Sequence, residues 1–146
     1  MKNSVFSNAI ICMLVAILFS PIASAEQKVV KGNWDIHYIA FPSTFLSPEV
    51  ANNYNIQRSK YNAVINISVL DNENKDKAQN AFVRGVVRNP LGQNQNLQFV
   101  KVLEGDAIYF IAQFSHLDNE TYRINIDVQQ GNRTETFKFS KKMFVD

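Results

Sequence analysis

The stretch Tyr122-Arg123-Ile124-Asn125-Ile126-Asp127-Val128-Gln129 decides the fold class. Its apolar side chains fall at every second position with polar ones between them, the period of a β-strand that has one face buried and the other in water. A helix would need apolar residues three and four apart. Working outward, Tyr61, Ala63, Ile65, Ile67 and Val69 alternate with Asn62, Asn66 and Ser68, and Ile108, Phe110, Ala112 and Phe114 share one side of Ala107–Phe114. Val30, Trp34, Ile36, Tyr38 and Ala40 form an earlier row with Gly32 in its register. Ala81–Arg88, Leu97–Val102 and Thr134–Phe144 alternate less regularly, and Gly85 marks a bulge or a close approach of backbones in the first of these. The count is about seven strands.

The links between them carry turn chemistry. Asn89-Pro90-Leu91-Gly92, Glu104-Gly105-Asp106 and Gln130-Gly131-Asn132 are short and rich in turn residues, which implies hairpins and antiparallel pairing. Only Ser47–Tyr54 reads as helical: Ser47 caps, Pro48 takes the first helical position, and Glu49 suits the positive end of the dipole. The expected fold is therefore an all-β, immunoglobulin-like antiparallel sandwich with one short helix in the connection between strands one and two. In Asp118-Asn119-Glu120-Thr121-Tyr122 the tyrosine stands where a tyrosine corner would close back on the chain just upstream. A small barrel satisfies the same alternation and is the rival architecture.

Residues 1–25 read differently. Lys2 is followed by the apolar run Ala9–Phe19, a Ser20-Pro21 break and the small triplet Ala23-Ser24-Ala25, the signature of a cleaved secretory signal peptide. The run is too short for a membrane span, which needs about 20 apolar residues. The expected division is signal peptide 1–25 and a single sandwich domain 26–146, exported with no membrane span after cleavage. Cys12, the only cysteine, leaves with the signal, so packing alone must hold the domain. The 146 residues carry 15 basic and 13 acidic side chains, and removing Lys2 brings the net charge from +2 to about +1. That balance argues against nucleic acid as a partner. An aromatic share of 12% and a hydrophobic share of 46% exclude a disordered chain.

Phe45-Leu46-Ser47-Pro48-Glu49-Val50-Ala51, Tyr54-Asn55-Ile56, Arg58-Ser59, Asn66-Ile67-Ser68-Val69 and Glu104-Gly105-Asp106-Ala107-Ile108-Tyr109 resemble the domain-of-unknown-function 4426 family, short exported proteins of Gram-negative bacteria. The resemblance implies a periplasmic sandwich. It supplies no activity, ligand or catalytic residue.

Chemistry-bearing groups are sparse. The two histidines, His37 and His116, fall short of the three or four N or S ligands of a zinc or copper site, so no metal or other cofactor is expected. Asp71–Asp76 departs from a calcium loop at Lys75, Asp76 and Phe82. No G-x-S-x-G, S-x-x-K or phosphate-loop pattern occurs, and Ser115, His116 and Asp118 are too close in sequence to face one another as a triad. Sequons occur at Asn66, Asn119 and Asn132, and the bacterial host that the resemblance implies makes them accidental. The feature that departs from a plain sandwich is the excursion Phe41–Lys60, since long connections with their own helix often carry function. Its apolar residues Phe45, Leu46 and Val50 are expected to plug one open end of the sandwich. Phe45, Tyr54, Arg58 and Lys60 are the candidate contacts for a periplasmic or envelope protein. The reading is a non-enzymatic binding or accessory module, and the alternative is a metal-dependent or hydrolytic protein with a site near His37 and His116.

Overall fold

The computed structural model describes residues 26–146. The expected signal peptide lies outside the described residues. The strands are β1 (Gln27–Lys31), β2 (Trp34–Pro42), β3 (Asn62–Asp71), β4 (Lys77–Ala78), β5 (Phe82–Arg88), β6 (Asn94–Leu97), β7 (Val100–Glu104), β8 (Ala107–Ser115), β9 (Glu120–Gln130) and β10 (Arg133–Met143). A short 3₁₀ turn (Ser43–Phe45) and helix α1 (Pro48–Asn53) lie between β2 and β3. The first sheet runs β1-β2-β3-β8-β7, with β4 on the end of β3, and the second runs β10-β9-β5-β6; every pair is antiparallel.

Inward residues of both sheets meet in one core. Trp34, Ile36, Ile65, Ile67, Val69 and Phe110 come from the first sheet, and Val87, Tyr122, Ile124, Ile126 and Val128 from the second. Burying side chains of this size stabilises the fold by about 1.5–3 kcal/mol each, which is how a domain without disulfides holds together. The tyrosine corner forms as expected: the Tyr122 hydroxyl accepts the Leu117 N–H at 2.9 Å and donates to Glu120 Oε2 at 2.6 Å.

Ten strands stand among the described residues where the sequence rhythm gave about seven. The row from Val30 to Ala40 is two strands, because Gly32 and Asn33 form a two-residue turn with Gly32 at φ 56°. Such a turn flips the alternation, so Val29 joins the core while Val30 is left exposed. Leu97–Val102 is likewise divided. Leu97 ends β6 in the second sheet and Val100 starts β7 in the first, so Gln98 and Phe99 carry the chain across. Gly85 does mark a close approach. A Cβ there would stand 2.8 Å from both Ile126 Cδ1 and Leu97 Cδ1.

Candidate functional site

The excursion between β2 and β3 does not plug an end of the sandwich. It lies on the outer face of the first sheet, where Ala51 and Ile56 bury Val64, with Phe41, Leu46, Tyr54 and Ile111 packed around them. Val64 points away from the main core, since its neighbours Ala63 and Ile65 face inward. The polar outer side expected of β3 is therefore apolar at this position, because the excursion covers it. Helix α1 starts as its sequence dictates, with Ser47 Oγ accepting the Val50 N–H at 3.2 Å. Leu46 just before the cap and Ala51 at the fourth helical position share one cluster, the arrangement of a hydrophobic staple.

Two clamps fix the excursion to its own base. Ser43 is fully buried, and its hydroxyl donates to the Ser59 carbonyl and accepts the Ser59 N–H, both at 3.0 Å. Arg58 Nε donates to the Leu46 carbonyl at 2.8 Å. A third tie joins the helix end to the β7–β8 hairpin, the Tyr54 hydroxyl donating to Glu104 Oε1. Gln113 completes the set, its Oε1 accepting from Gln57 N–H at 3.0 Å and from Asn62 Nδ2 at 2.8 Å.

The four candidate residues thus divide. Tyr54 and Arg58 hold the excursion in place through their polar atoms. Phe45, between the clamped residues, is 68% exposed, and Lys60 lies over the Tyr61 ring with Nζ 5.3 Å from its centroid. Val50 is also exposed rather than plugging the sandwich, since only Leu46 of the expected three apolar residues turns inward. Beside Tyr54 and Ile56 a cleft of about 570 Å³ opens toward Val100, Val102 and Ile111, where β7 forms the free edge of the sheet.

The histidines do not converge. His37 sits opposite Ser68 in the first sheet, whereas the His116 backbone N–H bonds the carbonyl of Tyr61, just before β3 and seven residues from Ser68, at 2.9 Å, a separation of about 20 Å. His37 Nδ1 lies 3.8 Å from Glu26 Oε1 at the surface. His116 is buried between Phe114 and Tyr122, with Nδ1 3.1 Å from the Leu117 carbonyl and Nε2 without a partner. Burial, then the hydrogen bond to Glu120, pushes the neighbouring Tyr122 phenol up to about 12. Asp118 Oδ1 accepts the Val145 N–H at 2.8 Å, and the His116 ring meets the Leu117 carbonyl instead of this carboxylate, so Ser115, His116 and Asp118 do not form a triad hydrogen-bond chain. Among the described residues no three His, Cys, Asp or Glu side chains are grouped to hold a metal.

Sequence reading overlooked a second constellation on the outer face of the second sheet. Arg88 and Arg123 stand directly opposite each other across β5 and β9, and Lys138 and Lys142 follow on β10. Of the adjacent pair Lys141-Lys142, only Lys142 points to this face, because strand alternation turns Lys141 to the other side. The available signal was that each of the four cations occupies an outward position of its strand, but only strand pairing brings them together.

This architecture defines a two-sheet antiparallel β-sandwich protein with a helical excursion clamped to one outer face. The sequence matches the family described as Domain of unknown function (DUF4426) over residues 28–146, and the chain belongs to that family. A crystal structure of a DUF4426 family protein, PA0388 from Pseudomonas aeruginosa PAO1, is 38% identical with a TM-score of 0.74, covering 83% of this chain and 96% of that one. FetP of uropathogenic Escherichia coli strain F11, recombinantly expressed in the periplasm, shares the fold at 10% identity and TM-score 0.57, with 82% and 94% covered. A copper-bound FetP variant matches at 11% identity and TM-score 0.56, with 83% and 91% covered. No curated protein matches the chain. No helix among the described residues is long and apolar enough to cross a membrane.

Proposed function

We propose that the protein is a periplasmic, non-enzymatic binding module, exported by residues 1–25 and folded as one domain over 26–146, that docks a periplasmic or envelope protein through its excursion. The observation that carries this reading is Phe45: an aromatic ring left 68% exposed between residues that Ser43 and Arg58 clamp. An exposed aromatic on a rigid support loses little entropy on binding, and such anchors dominate protein interfaces. Lys60 and Tyr61 add a charge and a second aromatic beside it.

The test is affinity capture from periplasmic extract with wild type and Phe45→Ala in parallel. Phe45→Ala is expected to keep its stability within about 0.5 kcal/mol, as exposed positions do, and to lose the partner. Retention of one and the same partner by Phe45→Ala together with Lys60→Ala would remove the excursion as the contact surface. Tyr54→Ala and Arg58→Ala are poorer probes, because they loosen the support itself.

A further inference from the structure

We propose that the outer face of the second sheet is a docking surface for the phosphate headgroups of an anionic membrane. Strand alternation and register put Arg88, Arg123, Lys138 and Lys142 on this one face, from three strands. None of the four has an ion-pair partner among the described residues. Two acids lie nearby: Asp127 accepts from Thr136 Oγ1 at 2.7 Å and lies 3.7 Å from Arg84, and Glu120, which accepts from the Tyr122 hydroxyl, lines the depression on the β5–β6 turn side. A net charge near zero for the whole chain thus coexists with four cations gathered on one face.

The Arg88–Arg123 pair is the centre of the argument. Like charges directly opposite across an antiparallel pair repel, a cost that an anion lying over the pair would relieve; Arg88 Nε also donates to the Gly92 carbonyl of its own turn at 3.3 Å. Guanidinium forks match the oxygens of a phosphate in geometry as well as charge. Two depressions flank the pair and share both arginines. One, of about 540 Å³, adds Lys138, Asn94, Asn125 and Ser140 and has no carboxylate in its lining; the other, of about 900 Å³, reaches Leu91 in the β5–β6 turn.

A membrane is favoured over a soluble anion by what rims the cations. Leu91 is 82% exposed beside Arg88, and Phe144 is 49% exposed beneath Lys142, whose Nζ lies 5.3 Å from the ring centroid. Apolar side chains next to cations are what an interfacial surface uses, the apolar groups entering the headgroup boundary while the cations meet the lipid phosphates. This face is opposite the excursion, which covers the first sheet, so a protein and a membrane can be held at once.

Co-sedimentation of the purified protein with lipid vesicles tests the proposal. Vesicles of phosphatidylcholine carrying phosphatidylglycerol are expected to pellet the protein at low salt and release it at high salt, and phosphatidylcholine alone to leave it in solution. Arg123→Glu with Lys138→Glu is expected to weaken binding on the order of a hundredfold. Lys75→Glu with Lys77→Glu, the same charge change in the turn after β3 and at the start of β4, is expected to retain it. Circular dichroism checks folding, and Arg123→Gln with Lys138→Gln serves if charge reversal perturbs it. Equal loss in both double variants, or no binding to anionic vesicles, overturns the proposal. So does saturable binding of pyrophosphate through Arg123 by a protein that ignores the vesicles, since the ligand is then a free anion.

Discussion

Tyr122 is a buried phenol whose single oxygen serves two neighbours, the Leu117 N–H and the Glu120 carboxylate. Removing that oxygen strands the Leu117 donor, so Tyr122→Phe should cost about 1–3 kcal/mol in urea unfolding. Its ionisation gives the same residue a pH signature. The folded phenol is pushed up from 10.0 to about 12, so its contribution is fully present below pH 10 and is lost as the pH rises through 12. Tyr122→Phe should therefore flatten this alkaline part of the stability profile. The corner was legible in the sequence because all its parts lie between Leu117 and Tyr122. The capping of α1 by Ser47 was legible for the same reason. Burial of His116 was not, because it depends on Phe114 and Tyr122 closing over the ring from two strands.

Strands obey their neighbours as much as their own sequence. Gly85 pairs with Leu97 on one side and Ile126 on the other, and both of their side chains occupy the space where its Cβ would stand. Gly85→Ala is expected to destabilise by about 1–3 kcal/mol through overpacking, read as a lower Tm. The alternation of β9 identified it at once, whereas the β1–β2 hairpin passed as one strand. A two-residue turn leaves the every-second-residue count running while it reverses the face, and Val29 instead of Val30 reaches the core. At Leu97–Val102 the same count runs through a change of sheet. Periodicity reports which residues share a face within a strand; it carries no record of which sheet owns that face.

Across the molecule, the two sheets are joined by a polar latch as well as by the core. Arg133, at the start of β10, donates to Asn33 Oδ1 and to the Lys31 carbonyl, both at 2.7 Å, and its guanidinium carbon lies 3.7 Å from the centroid of the Trp34 ring. It thereby ties the second sheet to the β1–β2 turn of the first. Arg133→Ala should lower stability by about 2–3 kcal/mol, and Arg133→Lys should recover only part of that, because an ammonium has no planar fork to serve both acceptors. Denaturant midpoints of the two variants check this. The amino-acid sequence by itself determined the strand-rich class, the antiparallel hairpins, the capped helix and the tyrosine corner, all of which follow from residues within a few positions of one another. Tertiary structure alone decided that the excursion lies over Val64 and not across an open end, that His37 and His116 stand far apart, and that Arg88, Arg123, Lys138 and Lys142 share a face. Each of those depends on register between strands distant along the chain, and register is fixed by the packing of one layer against the other.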